Sequence, residues 1–211
     1  MPKLIDISVP IQPGMPLWPD SEPLEIRQLA RLADGDIANI TGLYTGSHTG
    51  THIDAPLHFI DGGKTTEDIP LETLVGTCQV LDMRGKQEIT AEDLVEGGVF
   101  PNVDKLLFKT DNSRLWTQPT HSFHRNFCAL TLDAAHWIVE QGIRLVGIDY
   151  LSIQRFDDPF DTHVVLLRSE VVILEGLDLR FVEPNIYKLI CLPLKVRSVE
   201  GMMARAVLET I

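Results

Sequence analysis

Apolar side chains recur along this chain in two periods, one of strands and one of helices. The run 4–11 alternates apolar and polar positions and is rich in β-branched residues, which predicts a strand. Pro13, Pro16, Pro19 and Pro23 follow. Their fixed φ and missing N–H predict an irregular loop that presents Trp18. Residues 77–83 and 103–109 read as further short strands. Between them Thr90, with Asp93 three residues on, predicts the capping box of a short helix that Gly97 stops. A second helix is predicted over 133–141, ending at Gly142 and feeding the apolar strand 144–148. Runs 171–177 and 187–196 complete a strand-rich second half. Helix, glycine and strand in succession are an α/β signature. The expected fold class is α/β with more sheet than helix. No repeat or linker divides residues 1–211, so the whole is read as one domain.

Composition narrows the partners. A chain of 211 residues with 44% hydrophobic and 23% charged positions can bury a sizeable core as a globular protein. Its net charge of -12 and lack of a basic stripe argue against a nucleic-acid partner, which needs clustered Lys and Arg. No apolar run approaches the roughly 20 residues that span a bilayer, and no signal peptide opens the sequence. Cys78, Cys128 and Cys191 are far apart among apolar neighbours, which reads as reduced core thiols. The expected compartment is the cytoplasm, where Asn39-Ile40-Thr41 carries no glycosylation meaning.

The densest chemical signal is 47–58, Ser-His-Thr-Gly-Thr-His-Ile-Asp-Ala-Pro-Leu-His. Threonines and Ile53 favour an extended backbone, on which His48, Gly50, His52 and Asp54 would share one face. A helix would also join His48 to His52, but it would turn Asp54 away. Two imidazoles and a carboxylate suit Zn, Mn or Fe(II) with positions left open for water, whose pKa the metal lowers toward roughly 7. Pro56 ends the strand, and His58 beyond it can reach back as a proton-transfer group without being a ligand. A single strand histidine is usually a satisfied or solvent-facing residue. Three histidines and an aspartate of one parity, in a chain with seven histidines, are a different matter.

Glu175 lies in the apolar run 171–177 and shares parity with Val171 and Ile173, a costly place for a carboxylate unless it is paired or bound to a cation. It is a candidate for a second metal position. His163 is another, on which composition alone is evenly balanced. Asp149 would either orient a ligand or cap a turn. Gly63-Lys64-Thr65 lacks the upstream glycine of a phosphate-binding loop, and the order around Ser47-His48 is not that of a nucleophile elbow. His121 and His124 read as loop residues, and His136 as helix surface.

The stretch 48–58 resembles the H-x-G-T-H-x-D-x-P-x-H motif of the cyclase family, which includes bacterial kynurenine formamidase and isatin hydrolase. The runs 4–8, 146–149, 173–176 and 192–195 resemble its other blocks in order. The resemblance implies a swivelling β/β/α fold. It also implies two divalent ions, Zn or Mn, with His48, His52 and Asp54 holding one. Asp54 would bridge to a second held by His163 and Glu175. His58 would be the catalytic acid/base, Trp18 would line an aromatic substrate's pocket, and subunits would pair as homodimers or larger, with pockets near their contacts. Two departures stand out: Tyr150 where the family often has threonine, and Asp20 directly after Trp18-Pro19 where formamidases usually carry glycine.

The expected activity is hydrolysis of an aryl formamide, N-formylkynurenine to kynurenine and formate, in tryptophan catabolism. Opening of another cyclic amide, imide or lactone is the enzymatic alternative. A metal-binding protein without turnover is the non-enzymatic one, against which His58 speaks, since storage needs no acid/base.

Overall fold

The computed structural model describes residues 2–118 and 122–211. His121 therefore lies outside the described residues. In chain order the elements are β1 (Leu4–Asp6), β2 (Glu25–Ala30), β3 (Ile40–Tyr44), β4 (His52–Asp54), α1 (Leu71–Leu74), β5 (Val75–Asp82), α2 (Ala91–Gly97), β6 (Lys105–Lys109), α3 (Leu132–Glu140), β7 (Leu145–Ile148), α4 (Asp161–Arg168), β8 (Val172–Glu175), β9 (Ile186–Pro193) and β10 (Gly201–Thr210). The predicted capping box is present: Thr90 Oγ1 accepts from Asp93 N, and Asp93 accepts from Thr90 N.

Strands β5, β6, β7 and β8 run parallel, each joined to the next through a helix. Parallel neighbours require such crossovers. On one side the sheet continues antiparallel through β4 to β10, and on the other through β9. Because β9 also pairs with β10, seven strands close on themselves like a barrel. Strand β1 adds to the half of β10 that β4 leaves free. The result is a mixed, sheet-rich α/β fold.

Alternation along the strands splits the core in two. Ile53, Val80, Leu107, Leu145, Leu174, Leu189 and Ala206, one from each of the seven strands, meet inside the closed sheet. Leu106, Phe108, Val146, Ile148 and Ile173 face outward and pack with Ala134, Ile138 and Leu166 of α3 and α4. All three cysteines are buried free thiols, in agreement with the reading from sequence.

The expected strand 4–11 is shorter than its pattern. Beyond Asp6 the ladder gives way to a single bridge from Ser8 to Leu177, and Val9 N donates to the Thr51 side chain instead of to a strand. Strands β2 and β3, absent from the reading of the sequence, form a separate hairpin that leaves Ile26, Leu29, Ile40, Leu43 and Tyr44 exposed. No helix among the described residues is long and apolar enough to cross a membrane.

Candidate metal centre

Pairing of β4 with β8 sets His52 opposite Glu175 and Asp54 opposite Ile173. Ile53 and Leu174 point into the closed sheet, so His52, Asp54 and Glu175 face the helical side. Helix α4 lies on that side and carries His163, whose Nε2 is 3.3 Å from Glu175 Oε1. Glu175 is buried on the same face as Ile173, the face that the parity of the run 171–177 implies. Helix α4 itself was not foreseen.

His48 reaches the group by another route than the expected one. Residues 47–51 form a series of bends, and only 52–54 are strand. Gly50 has φ +66°, a left-handed conformation that glycine adopts without steric cost. The bend, not strand alternation, carries the His48 ring to within 5.1 Å of the His52 ring, centroid to centroid. The loop is locked from the opposite side, because a Cβ on Gly176 would lie 2.1 Å from Gly50 O. Beyond Pro56 the chain makes a single 3₁₀ turn, which stacks His58 on His48 with ring centroids 4.1 Å apart.

Asp54 lies at the centre. Its two oxygens are fully buried and accept no hydrogen bond among the described residues, although His48 Nδ1 stands 2.8 Å and His52 Nε2 3.6 Å from Oδ1. A buried carboxylate without donors is costly, and a cation seated among the same atoms removes that cost. Two donor groups share it. His48, Asp54 and His58 form one; His52, Asp54 and Glu175 form the other, with the ligand atoms of each within 4.8 Å of one another. Imidazole nitrogens and carboxylate oxygens around an unpaired buried carboxylate fit a divalent metal ion.

Electrostatics agree with the geometry. Burial pushes the Asp54 carboxyl up, but the imidazoles of His48, His52 and His58 outweigh it and hold it well below the usual range. Burial and Asp54 both raise Glu175, and contacts with His163 and His52 reverse that, so it too is held down. Burial disfavours charge on His48, yet Asp54, Glu175 and Glu200 raise it to about 9. His58 goes the other way: burial lowers it, and Asp54 only partly restores it. Its imidazole makes no hydrogen bond among the described residues.

A cavity of about 270 Å³ opens onto these groups. Trp18, Phe59, Phe156 and Phe160 wall it, with His48, His52, His58, His163 and Glu175 at the polar end. Trp18 is held by aromatic contacts, 5.4 Å from Phe123 and 5.1 Å from Phe156. Tyr150 does not enter the cavity. It is fully buried, its hydroxyl accepts from His124 N at 2.9 Å, and its ring packs on Phe123 and Phe127 behind Trp18. Asp149 is a cap: Thr110 and Ser113 each give it a backbone N–H and a hydroxyl. His136 is exposed on α3, as expected.

Residues 5–155 match the family model named "Putative cyclase". Cyclase-like protein 1 of Arabidopsis thaliana is 34% identical over 98% of this chain and 84% of its own. A solved structure described as a predicted metal-dependent hydrolase, from Bacillus stearothermophilus, is 33% identical and superposes with a TM-score of 0.85 over the whole of both chains. Isatin hydrolase A of Labrenzia aggregata shares the fold, with a TM-score of 0.86 at 21% identity over 99% of this chain and 94% of its own.

Proposed function

The chain belongs to the cyclase family, and from that premise we propose that it is a metal-dependent hydrolase of carbon–nitrogen bonds, an arylformamidase that converts N-formylkynurenine to kynurenine and formate. The observation that carries the proposal is the buried carboxylate of Asp54, which accepts no hydrogen bond among the described residues and is ringed by imidazoles that line an aromatic-walled cavity. His48, His52 and Asp54 would hold one ion, and His163 and Glu175, with Asp54, would hold a second. Zn is the expected metal, with Mn as the alternative.

A divalent ion there supplies hydroxide near neutral pH and polarises a carbonyl. The chain's own residues do the rest. Trp18, Phe59, Phe156 and Phe160 form a slot that binds a flat ring and excludes water. His58, without a hydrogen bond among the described residues and neutral at pH 7 because burial lowers it, takes a proton from the attacking water. As the formyl carbon–nitrogen bond breaks, His58 passes that proton to the departing aniline nitrogen, and formic acid leaves, giving up the second water proton to solvent as formate. Asp54 and Glu175 remain ionised throughout and keep the imidazoles facing inward.

The test is to incubate metal-replete protein with N-formylkynurenine, isatin and a simple cyclic imide in parallel. Release of kynurenine supports the proposal. Opening of isatin or the imide without kynurenine release replaces it with the cyclic-amide reading. The same proposal extends to a homodimer. The β2–β3 hairpin exposes apolar side chains that a two-stranded sheet cannot cover alone, and it leads directly into the bend that carries His48. A light-scattering mass of one chain would refute the dimer.

A further inference from the structure

Each of the three imidazoles proposed as metal ligands, His48, His52 and His163, has its second nitrogen held by an oxygen. His52 Nδ1–H donates to Gly50 O at 2.9 Å, and His163 Nδ1–H to Gln154 Oε1 at 3.2 Å. Both acceptors are neutral and close in the chain. The third is neither: His48 Nε2–H donates to Glu200 Oε1 at 3.2 Å, across 152 residues. The same carboxylate oxygen accepts from Ser47 Oγ at 2.8 Å, so it ties both residues at the head of the bend.

We propose that Glu200 is the positioning residue for His48: it fixes the imidazole as the Nε2–H tautomer and aims Nδ1 at the metal. The inference rests on the metal-centre reading above. Its backbone is placed independently of its side chain, because Ala55 N donates to Glu200 O at 2.8 Å and the next residue, Gly201, pairs with Asp54. The seat has a floor as well as an edge. The His48 ring lies against Gly201, where a Cβ would stand 2.3 Å from Cε1. His58 stacks on the same ring, with centroids 4.1 Å apart. A carboxylate on the far nitrogen of a metal-binding imidazole sets the ring's orientation and raises its basicity. Nδ1 consequently faces Asp54 at 2.8 Å, on the side where the donor atoms converge.

Zinc affinity of the purified full chain, measured by competition with a chromophoric chelator, tests this in Glu200→Ala, Glu200→Gln and Ser47→Ala. Glu200→Ala is expected to weaken zinc binding about 10- to 100-fold, the range for loss of an orienting partner. Glu200→Gln keeps an acceptor oxygen and should lose less, and Ser47→Ala should lose less again. Imidazole ¹⁵N shifts supply a readout that a merely structural role does not move. Zinc-loaded wild type and Glu200→Gln should show His48 bound through Nδ1 with a proton on Nε2, while Glu200→Ala should lose that signature. Wild-type zinc affinity in Glu200→Ala, or zinc on His48 Nε2, overturns the inference and leaves the metal centre standing. Failure of wild type to bind zinc overturns both. Should Glu200→Ala not fold, zinc bound through His48 Nε2 in the wild type still overturns it.

Discussion

Gly201 offers the sharpest perturbation of the metal centre, because it sits under a proposed ligand yet has no side chain of its own. In Gly201→Ala the new Cβ would lie 2.3 Å from His48 Cε1, 2.6 Å from Nε2 and 2.9 Å from Nδ1. Ordinary contact between such atoms begins near 3.5 Å, so the ring must retreat by roughly 1 Å. It cannot tilt freely, since His58 is stacked on it and Glu200 holds its edge. Backbone strain does not enter, because Gly201 lies in the regular strand β10 and is not among the positive-φ glycines. Metal–nitrogen bonds tolerate deviations of only about 0.2 Å, so a displacement of this size removes His48 from coordination. We expect a loss of zinc affinity of at least ~100-fold, the upper end of what loss of an orienting partner costs, since here the ligand itself is displaced. Chelator competition measures it, with circular dichroism confirming the fold. The decisive control is His48→Ala alone and combined with Gly201→Ala, because the two losses should not add. Wild-type affinity in Gly201→Ala, or additive losses, would show that His48 is not a ligand.

Other outcomes follow from the same geometry. His58→Ala should abolish turnover and leave metal content unchanged; loss of metal on atomic emission analysis would make His58 a ligand beside His48 and Asp54. In the metal-free protein burial opposes charge on His48, but Asp54, Glu175 and Glu200 raise it from 6.5 to about 9. The stability that this proton contributes is therefore full below about 6.5 and is lost as pH rises through about 9. Metal-free melts should fall across that window, while zinc binding, which must displace the proton, tightens; a flat metal-free curve counts against it. Trp18→Ala should raise KM for an aromatic substrate about 10-fold without altering zinc affinity, and a change in kcat alone contradicts a walling role. Gly176→Ala puts a Cβ 2.1 Å from Gly50 O at φ +71°. It should cost about 3 kcal/mol or more in urea unfolding, and an unchanged midpoint disproves the close approach.

The chemistry was legible because its signals are local. His48, His52, Asp54 and His58 fall within eleven positions, and a carboxylate inside the apolar run 171–177 marks Glu175 from its neighbours alone. The right residues were nevertheless joined partly for the wrong reason. Parity along an extended strand holds for His52 and Asp54, whereas His48 arrives through a bend that Gly50 permits. Gly50 is expected from the alternation to share that strand face, whereas the fold uses its left-handed φ. Tyr150 shows the converse. It departs from the family pattern, yet it faces the core behind Trp18 and does not narrow the cavity.

What escaped the sequence depends on partners far along the chain. Strand β10 reads Gly-Met-Met-Ala-Arg-Ala-Val-Leu-Glu-Thr, with only Val207 and Thr210 β-branched, a composition closer to helix than strand. It is a strand because β1, β4 and β9 all pair with it. Helix α4 contains Thr162, Val164 and Val165, which favour strand, and packing against α3 and β8 overrides them. These two unreadable elements supply His163, Gly201 and, at the edge of β10, Glu200. The ligands on β4 and the bend are thus encoded in one short segment, whereas the groups that complete and aim them come only with closure of the sheet. A motif search finds donors that can bind a metal. It takes the β4–β10 pairing to turn His48 toward one.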